Sequence, residues 1–193
     1  PWTSLLGRGE FAAPAAVDAQ PQYVEIEASG EEPVPFDEEA IAAALADADR
    51  GARYFPGYRV RQEQIRLARR FARNLAEGGA ALLEGGTGVG KSLAYLAAAI
   101  PFAMQRSHAG ERGPIAISTR TKLLQDQLLG KDIPAAARML GHAGLRALSI
   151  KGRANYVCAR RLDATLAEGR EPSLFPGDRL ARAALYTCAR IRR

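Results

Sequence analysis

The spacing of hydrophobic residues predicts a series of helices along the first two thirds of the chain. Residues 36–51 predict a helix, with Asp37 as its N-cap and Gly51 at its end. Residues 61–79 predict a strongly amphipathic helix. Its apolar positions recur every three or four residues, at Ile65, Leu67, Ala68, Phe71, Ala72 and Leu75.

Two further helices and three short strands follow from the same pattern. Residues 91–106 and 120–133 predict helices, and Pro134 begins another one. The strands are predicted at three short, mainly apolar runs, which are residues 80–84, 113–119 and 145–152. Strands that alternate with helices predict an α/β fold, in which a parallel sheet is connected by right-handed crossovers.

The first part of the chain has a different character. Residues 1–35 lack periodicity and carry several acidic clusters together with Pro14, Pro21, Pro33 and Pro35. These features are typical of a linker or tail, in which we expect one extended piece at residues 22–28.

Composition limits the class of protein. The chain has 193 residues with 47% hydrophobic content, which suffices for one core of ordinary size. No run of 18 apolar residues and no signal peptide is visible, so we expect no membrane association. Two cysteines thirty residues apart give no disulfide framework and favour a reducing cytoplasm. Because the sequence starts at Pro1 and ends without an evident stop, we expect it to belong to a longer protein.

Charge is unevenly distributed along the chain. Residues 1–50 contain eleven acidic and two basic residues, a net charge of −9, whereas residues 51–193 have a net charge of +15. A basic segment of this kind indicates a polyanionic partner, with nucleic acid as the first candidate. An arginine-rich solvated surface without such a partner is the alternative.

A glycine-rich segment carries the most specific chemistry in the sequence. Gly85, four further residues, Gly90, Lys91 and Ser92 match the spacing of a phosphate-binding loop. Glycines allow the backbone N–H groups to approach a triphosphate, and the following helix adds its dipole. We expect Lys91 to contact the β- and γ-phosphates and the Ser92 hydroxyl to bind Mg²⁺. A flexible glycine turn without a ligand is the alternative.

A glutamine lies twenty-one residues before Gly85. The amide of Gln64 offers a donor and an acceptor together, which suits the N6 and N7 edge of adenine. Arg61 and Gln64 therefore indicate an adenine-recognition motif. A solvated first turn of a helix is the alternative explanation for the same residues.

Residues 119–127 follow the second predicted strand, where α/β sheets commonly bind ligands. Thr119 and Thr121 offer hydroxyl groups to phosphates, and Lys122 offers a charge. An ordinary helix cap at Thr121 explains the threonine equally well.

A single cysteine lies in a basic segment near the end of the chain. Lys151, Arg153, Arg160 and Arg161 surround Cys158 in sequence. A lone cysteine is most often a small buried hydrophobic residue. The basic neighbours would also lower the pKa of its thiol and favour thiolate ligation or reactivity.

Four segments, taken in order, resemble a known family. They are "RVRQEQ" at residues 59–64, "EGGTGVGKS" at 84–92, "ISTRTKLLQDQLLGKDIP" at 117–134 and "KGRANYVC" at 151–158. Their order resembles DinG-type and XPD-like superfamily 2 helicases, with the DinG branch more similar. The resemblance implies ATP-driven 5′→3′ translocation on single-stranded DNA and a 4Fe–4S domain inserted into the first motor domain.

The resemblance also implies roles for particular residues. Lys91 and Ser92 would serve catalysis, with Ser92 on Mg²⁺. ATP would be bound by Arg61, Gln64, Gly85, Gly86, Thr87, Gly88, Val89, Gly90, Lys91 and Ser92. DNA would be contacted by Thr119, Arg120, Thr121, Lys122 and Gln125. Cys158 would be the first cluster ligand, and the remaining ligands are expected beyond residue 193, because we interpret Cys188 as a packed helical thiol.

The resulting expectation is an incomplete motor domain with a RecA-like, P-loop parallel sheet. Residues 1–36 would form an acidic linker, similar to one that follows a nuclease domain in some DinG relatives. Residues 37–152 would begin motor domain 1, and residues 153–193 would begin the truncated iron–sulfur domain. The expected function is an ATP-dependent DNA helicase that binds single-stranded DNA or DNA with single-stranded overhangs, acting as a monomer. A P-loop ATPase that acts as a regulatory or protein-binding switch is the alternative.

Overall fold

The computed structural model describes residues 23–111 and 113–152, together with Asn155 and Arg160. The chain divides into two units, Pro1–Ser149 and Ile150–Arg193. The described elements of the first unit are strand β1 (Tyr23–Glu25), helices α1 (Glu38–Ala46), α2 (Ala48–Tyr54), α3 (Gln62–Glu77), α4 (Lys91–His108), α5 (Lys122–Gln127) and α6 (Ile133–Met139), and strand β2 (Arg146–Leu148). A π-helical turn, Leu128–Asp132, joins α5 to α6 without a break.

The helix predicted at residues 36–51 is two helices. Asp37 is the N-cap of α1, as predicted, and its carboxylate accepts from the backbone N–H groups of Glu39 and Ala40 at 3.0 and 2.8 Å. Asp47 then adopts an extended conformation, and its carboxylate accepts from the Arg50 N–H at 2.8 Å. The prediction of one helix was wrong because this second cap ends α1 and begins α2.

Helices α3 and α4 form the centre of the fold. The apolar face of α3 buries Ile65, Leu67, Ala68 and Ala72. Against it lies α4, whose buried positions include three alanines, Ala94, Ala97 and Ala98, that are fully buried. Small side chains on α4 let the helices approach closely, and an edge-to-face contact between Phe71 and Tyr95 extends the packing. Both helices agree with the sequence-based prediction.

The described sheet differs from the predicted one. It contains two antiparallel strands, β1 and β2, with Val24 opposite Ala147. The extended piece at residues 22–28 and the strand at residues 145–152 are thus confirmed in part. The predicted strands at residues 80–84 and 113–119 are not strands, and no parallel ladder occurs in the described part of the chain.

The physical reason for this difference is the lack of strand partners. Apolar residues form a buried strand only when neighbouring backbone satisfies their N–H and C=O groups. No such ladder bonds form at residues 80–84 or 113–119 among the described residues. Leu82 is consequently 101% exposed and Ile117 is 37% exposed.

An acidic strap, residues 23–36, lies along one side of the core. Its backbone pairs with that of the segment after α6, through Ile26 N–H to Leu145 O at 3.0 Å and Val34 N–H to Leu140 O at 2.9 Å. Ile26 and Val34 are buried. The strap is therefore part of the packed unit over the range that the structure describes.

Arg50 connects the strap to two helices. Its guanidinium donates to the carbonyl oxygen of Met139 at 2.5 Å and to that of Glu32 at 2.9 Å. The Glu31 carboxylate adds ion pairs with Arg50 at 3.6 Å and with Arg53 at 2.9 Å. Charge-assisted hydrogen bonds of this kind are stronger than neutral ones, so the strap is held by more than its two buried apolar side chains.

The second unit is described at few positions. Residues 150–152, Asn155 and Arg160 are placed, and Asn155 closes a turn on the carbonyl oxygen of Gly152 through its backbone N–H at 2.8 Å and its side-chain amide at 2.9 Å. Over the described positions of the whole chain, helices are too short or too polar for a membrane span.

His142 is a buried polar residue beneath the strap. Its Nε2–H donates to the carbonyl oxygen of Val34 at 2.9 Å. Burial lowers the pKa of His142 below its usual 6.5, and the positive charges of His108 and Arg50 lower it further, although the hydrogen bond to Val34 opposes the shift. The folded state therefore favours the neutral imidazole.

We predict that acid destabilises the chain through His142. Above pH 6.5 the imidazole is neutral in both states. As the pH falls through 6.5, the unfolded state takes up a proton that the folded state resists, so the free energy of unfolding decreases until the lowered folded-state pKa is passed. Denaturant unfolding between pH 7.5 and 5 measures this decrease.

The chain has two histidines, which gives the experiment a matched control. His142→Gln retains an N–H donor for Val34 but cannot titrate, so it should flatten the pH profile. His108→Gln, at an exposed position, should leave most of the profile in place. Identical profiles for the two variants would contradict the assignment.

Candidate functional site

The glycine-rich segment forms a loop that ends at the first residue of α4. Gly88 and Gly90 have φ angles of 80° and 82°, a region that residues with a Cβ atom rarely adopt. Gly90 is the N-cap of α4, and no side chain caps its N–H groups. The first turn of α4 therefore keeps N–H donors for an anion, as the phosphate-binding pattern requires.

The first turn of α3 holds this loop from one side. The side-chain amide of Gln64 donates to the carbonyl oxygen of Gly90 at 2.9 Å, and the guanidinium of Arg61 donates to that of Gly88 at 2.7 Å. Gln64 is buried, whereas Arg61 is exposed. The structure thus brings Arg61, Gln64 and the glycine-rich loop together, and all three belong to the predicted ATP-binding set. Adenine recognition by Gln64 stays a prediction.

Lys91 holds the loop from within. Its ammonium group donates to the carbonyl oxygens of Gly85 at 2.9 Å and Gly86 at 2.8 Å. A Cβ atom on Gly85 would lie 3.3 Å from the aliphatic part of Lys91, which leaves little room for any larger residue there. Thr87 and Val89 complete the loop, with Thr87 exposed and Val89 partly buried.

Ser92 lies one residue further along α4 and is partly buried. Tyr95 follows on the next turn of α4. Burial raises the pKa of the Tyr95 hydroxyl and the negative charge of Asp132 also raises it, while interaction with the Ser92 hydroxyl lowers it. The folded state therefore favours the neutral phenol one turn after Ser92.

A cavity of about 290 Å³ opens beside the loop. It is lined by Phe55, Pro56, Gly57, Tyr58, Arg59, Arg61, Gln64, Gly90, Ser92, Leu93, Leu96, Gln127 and Asp132. Its volume is near the lower limit of typical ligand pockets, which begin at about 300 Å³. Aromatic rings, apolar side chains and a few polar groups meet there, which is the composition expected for a pocket that binds a flat heterocycle.

The predicted DNA-binding segment lies at the start of α5. Thr121 is the N-cap of this helix, and its hydroxyl accepts from the Leu124 N–H at 3.2 Å. The Thr119 hydroxyl donates to the carbonyl oxygen of Thr121 at 3.2 Å. Arg120 and Lys122 are exposed, whereas Gln125 is partly buried. The alternative of a helix cap is thus observed at Thr121, and contact with DNA stays a prediction.

Several residues of the site were not identified from the sequence. They are Phe55 and Tyr58, which line the cavity, Tyr95 beneath Ser92, and Gln127 with Asp132. Asp132 could have been found, because it shares the apolar face formed by the buried Leu128, Leu129 and Ala136. A carboxylate on a buried helix face is a recognisable exception to the hydrophobic pattern.

The predicted cluster ligand lies outside the described residues. Neither Cys158 nor Cys188 is placed, and the same applies to Arg153 and Arg161. The described residues contain no group of three or more His, Cys, Asp or Glu side chains that could hold a metal ion. Iron–sulfur ligation by Cys158 therefore stays a prediction.

Comparison with known proteins relates the chain to DinG-type helicases, which confirms the family resemblance over the matched part. ATP-dependent DNA helicase YoaA of Haemophilus influenzae is 41% identical over 113 residues, covering 58% of this chain and 16% of that protein. YoaA of Escherichia coli is 37% identical over 112 residues, covering 58% of this chain and 16% of the relative.

A third relative is named for a different activity. The 3′-5′ exonuclease DinG of Bacillus subtilis is 30% identical over 149 residues, covering 77% of this chain and 15% of that protein. The chain thus spans about a sixth of the length of these relatives. No protein-family model and no solved structure matches it.

We predict that Gly90→Ala disrupts the loop more than Gly88→Ala does. Both substitutions place a Cβ atom at a positive φ angle, which costs about 1–2 kcal/mol. At Gly90 the new methyl group would also overlap the Gln64 amide, whereas at Gly88 it would meet no atom within 4 Å. Gly90→Ala should therefore show a larger loss in the free energy of unfolding.

Urea denaturation of both variants measures the difference. Gly88→Ala is the matched control, since it shares the strain and lacks the overlap. Equal losses would mean that Gln64 moves aside without penalty and does not hold the loop.

Proposed function

We propose that this chain carries the ATP-binding part of a DNA helicase motor that translocates on single-stranded DNA in the 5′→3′ direction. The observation that supports this most directly is the convergence of Arg61, Gln64 and Lys91 on the backbone of one glycine-rich loop, beside a cavity of the size of a base. The similarity to proteins named ATP-dependent DNA helicase adds the family context.

The loop binds the phosphates of ATP in this proposal. Lys91 exchanges the carbonyl oxygens of Gly85 and Gly86 for the β- and γ-phosphate oxygens, which are better acceptors because they carry negative charge. The uncapped N–H groups at the start of α4 donate to the same phosphates. ATP thus replaces hydrogen bonds that the empty loop makes with itself.

Ser92 is the residue that fits Mg²⁺. Magnesium takes oxygen ligands and usually retains several waters, so one hydroxyl together with phosphate oxygens is an adequate set. When bound, the metal ion neutralises charge on the β- and γ-phosphates. Ser92 is partly buried in the first turn of α4, directly after Lys91.

The cavity accommodates adenine. Gln64 lines it and is buried, so its amide meets a base in the absence of competing water. Phe55 and Tyr58 supply ring faces and edges, with their ring centres 6.4 Å apart. We assign adenine to this position because the cavity adjoins the loop at Gly90 and Ser92.

DNA contacts the start of α5 in this proposal. Arg120 and Lys122 are exposed and carry positive charge towards solvent, and Thr119 and Thr121 lie beside them. Contacts of this kind act on phosphates and therefore tolerate any base sequence. A single-stranded DNA partner agrees with the net charge of +15 over residues 51–193.

We further propose the domain organisation that the resemblance implies. Residues 37–152 begin the first motor domain, and residues 153–193 begin an iron–sulfur domain in which Cys158 is a ligand. A 4Fe–4S cluster requires four ligands, and the chain has two cysteines, so the other ligands would come from a longer protein. No step of ATP binding by the described residues depends on this cluster.

We predict that Lys91→Ala abolishes ATP hydrolysis stimulated by single-stranded DNA in the full-length protein. The variant loses the charge that neutralises phosphate, while the removal of one exposed side chain should change the free energy of unfolding by roughly 0.5 kcal/mol or less. Phosphate release, with and without a homopolymeric DNA strand, provides the measurement, and circular dichroism checks the fold.

Lys131→Ala is the matched control, because Lys131 is an exposed lysine on the π-helical turn and does not line the cavity. It should retain both basal and stimulated hydrolysis. Full activity of Lys91→Ala would contradict the assignment of the phosphate loop. Hydrolysis that DNA does not stimulate would instead support the alternative, a P-loop ATPase that acts as a regulatory switch.

A further inference from the structure

A buried carboxylate lines the cavity beside the loop. Asp132 is 9% exposed and lies at the end of the π-helical turn, and it lines the same cavity as Arg61 and Gln64 in and before the first turn of α3. Gln127 lines the same cavity and donates from its side-chain amide to the Asp132 carboxylate at 3.1 Å. The two side chains thus form a polar pair in a wall that Leu93 and Leu96 otherwise make apolar.

The π-helical turn is what brings this pair to the cavity. An inserted residue in a helix changes which side chains share a face, and such turns occur frequently at functional sites. Leu128 and Leu129 point into the core, and Asp132 lies on the same buried side. Because a buried carboxylate is unfavourable without polar partners, its presence there indicates a function in the cavity.

The side-chain amide of Gln64 alone discriminates weakly between purine bases. Its amide carries both a donor and an acceptor and can rotate to satisfy either an amino group or a carbonyl group on a base. An ionised carboxylate only accepts hydrogen bonds. Asp132 therefore differs from Gln64, because it can bind an amino group and repels a carbonyl oxygen.

We propose that Asp132 determines base specificity by accepting a hydrogen bond from the amino group at position 6 of the purine. This inference rests on the proposed ATP-binding function. Gln127 holds the carboxylate in place, so that one of its oxygens faces the cavity. A base with a carbonyl oxygen at position 6, such as hypoxanthine or guanine, then meets an acceptor where it needs a donor.

The electrostatic field of Asp132 agrees with this position. Burial raises the pKa of the Tyr95 hydroxyl, and the negative charge of Asp132 raises it further against the hydrogen bond from Ser92. Asp132 and Ser92 also line the same cavity.

The test compares ATP with ITP, whose base carries a carbonyl oxygen at position 6 and a hydrogen on N1, where adenine carries an amino group and an unprotonated N1. Dissociation constants of both nucleotides with Mg²⁺ are measured by titration calorimetry on the full-length protein. The wild-type protein should bind ATP more tightly than ITP by about tenfold or more, since an acceptor faces a carbonyl oxygen in ITP. In Asp132→Asn the new amide can turn its N–H group towards that oxygen, so the ratio should fall by about tenfold.

Asp126→Asn is the matched control, because Asp126 lies six residues earlier and does not line the cavity. Its ATP to ITP ratio should equal that of the wild type. If Asp132→Asn does not fold, the dissociation constant of purine riboside triphosphate is measured with the wild-type protein instead. This ligand lacks the amino group, so it should bind about tenfold more weakly than ATP.

The outcomes separate this inference from the proposed function. Tight and selective binding of ATP with an unchanged ratio in Asp132→Asn would overturn the role of Asp132 and leave the ATP site intact. Equal affinity of the wild type for ATP and purine riboside triphosphate would overturn it as well. Failure of the wild type to bind any of these nucleotides would overturn both proposals.

Discussion

The hydrogen bond from Gln64 to the carbonyl oxygen of Gly90 connects the two parts on which the site depends. It joins the first turn of α3 to the residue that begins α4, at 2.9 Å and with the glutamine buried. Arg61 adds a second contact to Gly88. A glycine-rich loop has high conformational freedom, so these contacts restrict it before any phosphate binds. The same side chains border the cavity, which therefore keeps a fixed relation to the loop.

Packing of α3 against α4 further from the site holds the contact between Gln64 and Gly90 in place. The alanine-rich face of α4 lies against the apolar face of α3, and Phe71 with Tyr95 completes the seam. Burial of each large apolar side chain contributes about 1.5–3 kcal/mol, which is comparable to the stabilisation from several hydrogen bonds. On the other side, Arg50 and the acidic strap fix the end of α6 and so the π-helical turn before it. The cavity is thus lined by residues from both of these packed regions.

The sequence predicted the helices well because their apolar positions follow the helical period and their ends carry clear caps. Asp37 is an example. The prediction of strands failed at residues 80–84 and 113–119. A strand is defined by hydrogen bonds to neighbouring strands, and these segments have no such neighbours among the described residues. Local apolar character cannot supply a missing ladder. The division of one predicted helix at Asp47 reflects a competition between helix continuation and a local cap.

Prediction of the site residues from the sequence has the same limits. The loop, Arg61 and Gln64 were identified from spacing, because phosphate binding imposes a fixed local pattern. Gln127 lines the cavity immediately before the π-helical turn, and no helical period predicts which residues such a turn presents. Tyr95 lies within a predicted helix, and its edge-to-face contact with Phe71 follows only from the packing of α3 against α4. Site residues that depend on tertiary contacts are thus the ones that the sequence pattern could not predict.

Amide hydrogen exchange on the full-length protein tests the central claim most directly. Exchange is compared with and without a non-hydrolysable ATP analogue and Mg²⁺. If the first turn of α3 and the loop act as one unit, the analogue should slow exchange together at residues 61–66 and 86–94, with little change at α1. Slower exchange at the loop alone, with the start of α3 unaffected, would contradict the claim that Gln64 and Arg61 organise the nucleotide site.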